Sequence, residues 1–522
     1  MKLSGMIQSG LSDTQLLLLI LALASGIISI IFFALRKKGL SILALFTAGL
    51  LLRLVASGLD PFLNLWDEQF HALVAKNMMT HPFKPMLYTN PVLDYDYQSW
   101  INNHVWLHKQ PWFLWQISLC LKLFGVNLFA LRLPTVLMSS LMILIIYRIG
   151  ERTVSARTGW LGAFFYTFSF FWVNFTAGST FSDHNDSAFI FYIALSIWSW
   201  VEYRHSGNRK WILLIGLFSG IAILNKWLAG FLVYSGWMVS VLFHQGISGK
   251  MAELKRIGLS LLITVLVAAP WQIYILSRFP LESAYEFRMN AQHFLRAIET
   301  HEGNLFYYFL QLPVQYGGGI MAYFLIPAGL FFLFRNTGKK QIRVGLLTMT
   351  CVVYIFFTVA ATKMPLFCSI VLPVVFLALG ALGDTLIGYG EHFLSAKWVA
   401  VILVPVLGYF ALSDLDLKQL DSWHSAKSEQ WRSLRNASLI DRYAGKLSRS
   451  GKDVYFNCGA FNSIQFMFYN QNSAYGVYPT YEEYMKLKSL NINMIVFTDP
   501  VLPDYLRHDR QVRKIFLSGF QY

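Results

Sequence analysis

Residues 40–70 read LSILALFTAGLLLRLVASGLDPFLNLWDEQF, an apolar run from Leu40 to Leu59 that gives way within a few residues to the acidic pair Asp67-Glu68. A helix needs about 20 apolar residues to cross the hydrocarbon core, and this run supplies them. Two adjacent carboxylates just outside such a span need a reason, because charge beside hydrocarbon is costly and tends to mark a functional site. The junction therefore implies a membrane helix with a polar site at its mouth.

The apolar pattern recurs along the chain. Of the 522 residues 55% are apolar and 14% charged, with 43 Phe and 16 Trp. That composition excludes a disordered chain, and the runs are too interrupted for a coiled coil. Spans are expected at 14–35, 40–57, 129–149, 159–177, 186–203, 210–226, 228–244, 256–277, 316–335, 343–361, 365–384 and 396–412. The shorter piece Trp112–Phe124 reads as a re-entrant or interfacial helix. The first span lacks a basic n-region and a small-residue cleavage site, so it is expected to be a retained helix.

Basic residues of short loops mark the cytoplasmic side. They cluster at Arg36-Lys37-Lys38, at Arg148, Arg152 and Arg157, and at Arg204, Arg209 and Lys210. Two more clusters are Lys250, Lys255 and Arg256, then Arg335, Lys339, Lys340 and Arg343. With twelve spans all five fall on one side. The opposite, outer side receives both termini, Asp67, the loops 58–128 and 278–315, Asp183–Asp186, Thr362–Pro365 and everything after about residue 413. The net charge of +15 is then mostly a matter of orientation. A nucleic-acid partner would need a compact basic face with aromatic platforms, and none is evident. Of the four cysteines, Cys120, Cys351 and Cys368 lie in or beside apolar runs and Cys458 in the tail, which makes neither a disulfide framework nor a zinc spacing.

Residues 1–412 thus read as a transmembrane domain with large outer loops, and 413–522 as a small outer domain. In that tail Asp453–Cys458 and Met494–Thr498 look like strands and Thr480–Leu490 like a helix, an α/β pattern. It carries no Gly-rich phosphate loop, so a gating or packing role fits it better than chemistry.

Several outer groups could carry chemistry. Asp67 could simply cap a helix running through His71, Ala75 and Met79. It could equally be a general base for an acceptor hydroxyl, tuned by a water-excluding site and supported by Glu68. Lys109, in His108-Lys109-Gln110-Pro111-Trp112, could be a snorkelling anchor or could pair with a lipid phosphate and offset the charge of a leaving group. In Phe181-Ser182-Asp183-His184-Asn185-Asp186 one acid could be an N-cap, which leaves the rest of the cluster unexplained. Lys226 and Lys363 sit at outer ends of spans, so with Lys109 three lysines converge on one membrane level beside the acids. Arg288, His293 and Arg296 add further cations suited to clamping phosphate. His104, His108, His71 and Asp183 could hold a divalent metal; no other metal or cofactor is called for.

In this order the segments resemble the GT-C glycosyltransferases of the protein O-mannosyltransferase and aminoarabinose (lipid A) transferase type, over about residues 40–390. The matching elements are Trp66-Asp67-Glu68, Lys109-Gln110-Pro111 and LKLFGVNLFALRLPTVL at Leu121–Leu137, followed by Asp186, Leu224-Asn225-Lys226, Gln292-His293-Phe294-Leu295-Arg296 and Thr362-Lys363-Met364-Pro365. Gln110 stands where the family has the first proline of its lysine motif, and the 14–35 span precedes the usual first helix. The resemblance implies an all-α polytopic GT-C domain of about 12 or 13 transmembrane helices with the C-terminal extracytoplasmic α/β domain. It implies inverting transfer of a sugar from a polyprenyl-phosphate donor to a lipid A, glycan or protein acceptor outside a bacterial inner membrane. Asp67, Glu68 and Asp186 would be the catalytic carboxylates, with Asp67 the base. Lys109, Arg296, Lys363 and Lys226 would bind the donor phosphate. Phosphate is a good leaving group, so one carboxylate suffices where glycoside hydrolases need two. A transporter or flippase of lipid-linked sugars would need similar groups, but nearer the bilayer midplane. A polymerase or ligase of lipid-linked glycans would share the donor chemistry and take a larger acceptor.

Overall fold

The computed structural model describes residues 11–178, 183–297, 301–424 and 452–516, with Glu429, Arg432 and Leu447 besides, and only the backbone at Asp183, Ala396, Asp421, Ala460 and Phe461. Its helices follow the apolar runs. Asp13–Ala34 and Lys38–Ser57 form an opening hairpin, the first capped reciprocally by Ser12 and Gln15. Among the described residues nine helical stretches are long and apolar enough to cross a membrane.

The difference from twelve expected spans has local causes. Lys210–Val241 counts as one apolar stretch but is two helices, Lys210–Lys226 and Leu232–Val241. They are broken at Trp227, whose φ is +60°, and the chain doubles back so tightly that a Cβ on Gly230 would lie 2.8 Å from the Ile223 amide nitrogen. The expected 159–177 span is interrupted at Ser169, which separates Ala156–Phe168 from Phe170–Asn174. Asp183–Ser206 is long enough, but polar residues occupy both its ends.

The same helices separate two sets of charges. Arg36 and Arg157 share Glu391, Arg148 and Arg152 share Glu202, and Arg204 and Arg256 share Glu253. Lys339 donates to the carbonyls of Arg204 and His205, so these contacts involve members of all five basic clusters, with Lys250 and Lys255 next to Arg256. Asp67, Arg132, Asp186 and Lys226 lie at or beyond the other ends of these helices. Close helix approach depends on missing side chains: a Cβ on Gly159 would meet the Tyr147 carbonyl at 2.3 Å.

The tail folds into four parallel strands, β1 (Asp453–Phe456), β2 (Ser473–Ala474), β3 (Asn493–Phe497) and β4 (Arg513–Ile515), in the order β2-β1-β3-β4. Parallel neighbours require crossovers, and the helices Ala460–Tyr469, Tyr481–Ser489 and Asp504–Arg507 supply them. Thr480 and Glu483 make the capping box of the middle one.

This domain is docked on the acidic helix Asp67–Met78 and the loop after it. Lys76 Nζ donates to the carbonyls of Met467, Phe468 and Asn470 at 2.6, 2.8 and 2.8 Å, where the negative end of the Ala460–Tyr469 helix dipole attracts a cation. The Tyr475 hydroxyl accepts from the Val92 amide, and the Tyr475 ring stacks on Tyr88. Lys76→Met should therefore loosen the docking by about 1.5–3 kcal/mol, as expected for a charged hydrogen-bonding group. Faster amide exchange in 460–475, with the transmembrane helices unchanged, is the outcome to look for.

Candidate active site

The site begins with an arginine inside an apolar run. Arg132 lies in the first two turns of Leu128–Thr153 and is 1% exposed. All five of its N–H groups are used. Nη1 donates to the Ser57 and Asp60 carbonyls at 2.8 and 2.7 Å, and Nη2 to the Phe62 carbonyl at 2.8 Å. Nε and Nη2 form a two-point pair with the Glu68 carboxylate at 2.7 and 3.0 Å. Glu68 also accepts from the Asn64 amide at 2.7 Å and contacts His184 Nε2 at 3.2 Å. Burial works to raise its pKa, but Arg132 and the His184 contact outweigh that and hold it at about 2. His184 in turn contacts Thr135 through Nδ1. A Cβ on Gly178, at φ +83°, would strike Glu68 Oε1 at 2.4 Å, so the chain passes too close there for any other residue.

With Glu68 committed, Asp67 is the acid left facing other partners. The helix starts as expected, but its N-cap is Trp66, held at φ +68° with no side-chain cap bond, and Asp67 occupies the first turn. Asp67 is buried, and the Lys109 ammonium approaches it to 3.9 Å. Nearby, Gln110 accepts from Gln272 Nε2 at 2.7 Å, the local contact of the residue that replaces proline. The second carboxylate follows the same arrangement, since Asp186 is ion-paired with Lys226. Lys226 Nζ also lies 5.1 Å from the centre of the Phe367 ring.

The remaining cations belong to the segment 278–315 and to the start of the apolar run that follows Thr362. Backbone bonds tie 293–301 to 361–363: Ala361 and Thr362 donate to Phe294 and His293, and Lys363 donates to His301. The two motifs Gln292–Arg296 and Thr362–Pro365, distant in sequence, are thus one unit. Arg296 ends the Pro280–Leu295 helix and is exposed, as is Arg288. Lys363 is turned inward. Its ammonium donates to the Phe357, Thr358 and Ala360 carbonyls at 2.9, 2.5 and 2.6 Å and caps the Lys340–Val359 helix. Burial pulls its pKa below the ordinary lysine value.

The histidines separate. His108 pairs with Glu286 and packs on Trp100, whereas His104 lies among Tyr88 and Tyr95. Among the described residues no three His, Cys, Asp or Glu side chains are grouped to hold a metal. Phe181, Ser182 and the Asp183 side chain lie outside the described residues. Sequence reasoning missed Arg132 itself, although an arginine inside an apolar run was the available signal. It also missed the buried contacts of His424 with Asp60 and Asn174, which bring the segment after the last span against the turn that Arg132 holds.

Residues 108–274 match the family model described as Dolichyl-phosphate-mannose-protein mannosyltransferase. The chain is 25% identical over 58% of its length to the undecaprenyl phosphate-alpha-4-amino-4-deoxy-L-arabinose arabinosyl transferase 1 of Pseudomonas fluorescens, and 24% identical over 67% to the corresponding transferase of Erwinia tasmaniensis. It spans 55% and 61% of those relatives' lengths. Its fold is that of ArnT from Cupriavidus metallidurans bound to undecaprenyl phosphate, with a TM-score of 0.62, 17% identity and 86% and 88% of the two chains covered. The apo oligosaccharyltransferase of Archaeoglobus fulgidus shares it more loosely, with a TM-score of 0.54, 13% identity and 84% and 65% covered. The GT-C fold expected from the motifs is therefore the fold observed.

Removing either member of the Glu68–Arg132 pair leaves a buried charge without its partner, which costs roughly 3–5 kcal/mol. Glu68→Gln and Arg132→Met should each lower the melting temperature in detergent, and the double variant should lose less than the sum of the two. The pair also sets an acid limit. Because the folded pKa of Glu68 lies below the ordinary 4.5, its contribution is complete above pH 4.5 and is lost as the pH falls toward about 2. Glu68→Gln should flatten that part of the melting-temperature profile.

Proposed function

We propose that this protein is an integral-membrane glycosyltransferase that moves a sugar from a polyprenyl-phosphate donor to an acceptor outside the membrane. The observation that carries the reading is the buried Asp67–Lys109 pair at one end of a fold shared with a protein solved with undecaprenyl phosphate. Supporting it are the position of the paired acids and cations at helix ends rather than mid-span, which disfavours a transporter. The basic ends of the helices would face the cytoplasm, which puts the site and the C-terminal domain on the periplasmic side of a bacterial inner membrane.

In this reading a donor phosphate draws Lys109 away from Asp67 and frees the carboxylate. Asp67 accepts the proton of an acceptor hydroxyl as its oxygen attacks the anomeric carbon. The bond from that carbon to the phosphate oxygen breaks on the opposite face, so configuration inverts, and the electron pair leaves with the phosphate. Lys109, Lys226 and Arg296 stabilise the charge that develops there. Lys363 would join them only by leaving its helix carbonyls; where it stands it fixes the loop that carries Arg296. Asp186, released by Lys226, orients acceptor or sugar hydroxyls. Glu68 acts through Arg132 and supports Asp67 without touching substrate. The relatives' names favour an aminoarabinose donor, and lipid A is the acceptor to try first.

The test is transfer in proteoliposomes from undecaprenyl-phosphate-linked sugars to lipid A, glycan and peptide acceptors. Asp67→Asn should lower kcat by about 100- to 10,000-fold, the range of a lost general base. Lys109→Ala should lose a further-reaching electrostatic contribution, about 100- to 1,000-fold in kcat. Near-normal transfer by Asp67→Asn would remove the base from the scheme.

A further inference from the structure

His71 is one helical turn beyond Asp67, so both side chains lie on the same face of the Asp67–Met78 helix. It is fully buried, and neither ring nitrogen has a hydrogen-bond partner among the described residues. Buried polar atoms are normally satisfied, and an imidazole with both nitrogens unmatched beside a reactive carboxylate is a group built for something that arrives later. The Phe113 ring packs against it at 4.8 Å, with Trp106 at 6.0 Å and His184 at 6.1 Å. The Trp106 indole N–H, which can only donate, is unmatched as well, beside an imidazole that can both donate and accept.

The charges around His71 come from every element packed on it. Asp67 is on its own helix, Lys109 and His108 are on the loop ahead of Trp112–Phe124, and His184 is on Asp183–Ser206. Burial lowers its pKa well below the ordinary 6.5; Asp67 works to raise it, while Lys109, His184 and His108 lower it further. His71 is therefore neutral at rest, as a proton acceptor must be. A phosphate bound to Lys109 would cancel the nearest cation while leaving Asp67 in place. The balance then shifts toward protonation.

We propose that His71 is a second proton-carrying group of this site, taking the acceptor's proton from Asp67 once a donor phosphate has engaged Lys109. This rests on the transferase reading above. In the step, the acceptor O–H bond breaks and the proton passes to a carboxylate oxygen of Asp67. The acceptor oxygen bonds to the anomeric carbon as the phosphate leaves with its electron pair. The proton then moves to a His71 ring nitrogen, which restores the carboxylate and later yields the proton to water. Donor occupancy and proton acceptance become linked, so the base is poised only when there is a sugar to transfer.

The probe is undecaprenyl phosphate, titrated into the full-length protein by calorimetry at pH 6 in buffers of different ionisation enthalpy. The wild type should take up a fraction of a proton more on binding than His71→Gln, the mark of a His71 made more basic yet still largely neutral, while both bind and melt alike. Should His71→Gln fail to fold, His71→Asn serves in its place. In the transfer assay the folded variant should lose about 100-fold in kcat with little change in donor KM, and the acid limb of its pH profile should move. Equal proton uptake by wild type and variant overturns the role of His71, and an unmoved acid limb does the same. Both results leave the function standing if wild type transfers and Asp67→Asn does not. A wild-type protein that fails to bind undecaprenyl phosphate overturns the donor assignment, and the role of His71 with it.

Discussion

Everything at the end of this molecule that carries the acidic pair hangs on the guanidinium of Arg132. A charge in an apolar helix is tolerable only if each of its donors is matched, and here all five N–H groups are. Their partners belong to the end of Lys38–Ser57, to the turn at Asp60–Phe62 and to the first turn of Asp67–Met78. One side chain thus fixes the distance between two membrane helices and the entry angle of the helix that carries the acidic pair. Because Glu68 is consumed in this bond, the two adjacent acids have different fates. Glu68 anchors, and Asp67, turned about 100° away around the helix, is left facing Lys109.

The site at rest is electrically closed. Asp67 is matched by Lys109, Asp186 by Lys226, and Lys363 by three carbonyls. Closed pairs keep the buried charges affordable without a ligand, and they also make a phosphate a competitor for cations already in place. Lys109 and Lys226 keep 14% and 23% of their side-chain surface open, so an anion can reach them; Lys363 is buried. This division explains why three lysines at one membrane level need not have one role.

Much of this was legible in the sequence because hydrophobic length and loop charge are strong, local signals. The spans, the side shared by the basic clusters and the acidic pair all follow from patterns of a few residues. The strands Asp453–Phe456 and Asn493–Phe497 were readable for the same reason. What could not be read depends on contacts between distant segments. Nothing local tells that Arg132 rather than solvent receives Glu68, or that Lys363 turns back onto its own helix end. The strand Ser473–Ala474 is too short to show a pattern, and Ala460–Tyr469 reads as another apolar run. The boundary at Trp227 was readable, since spans were expected at 210–226 and 228–244, but the positive φ that makes it has no sequence signature at tryptophan.

The acidic helix is held at both ends by opposite logic. At its N-terminus a carboxylate in the first turn meets an arginine from the membrane domain, and near its C-terminus Lys76 meets the carbonyl end of a helix from the C-terminal domain. Each contact also suits the helix dipole, acid at the start and base at the end. Twelve residues pinned this way cannot rotate without breaking one charged contact or the other. The face that presents Asp67 and His71 is therefore set jointly by the membrane domain and the C-terminal domain. A domain without a catalytic motif of its own can matter to chemistry on these terms, by holding the angle of the helix that carries the proposed base.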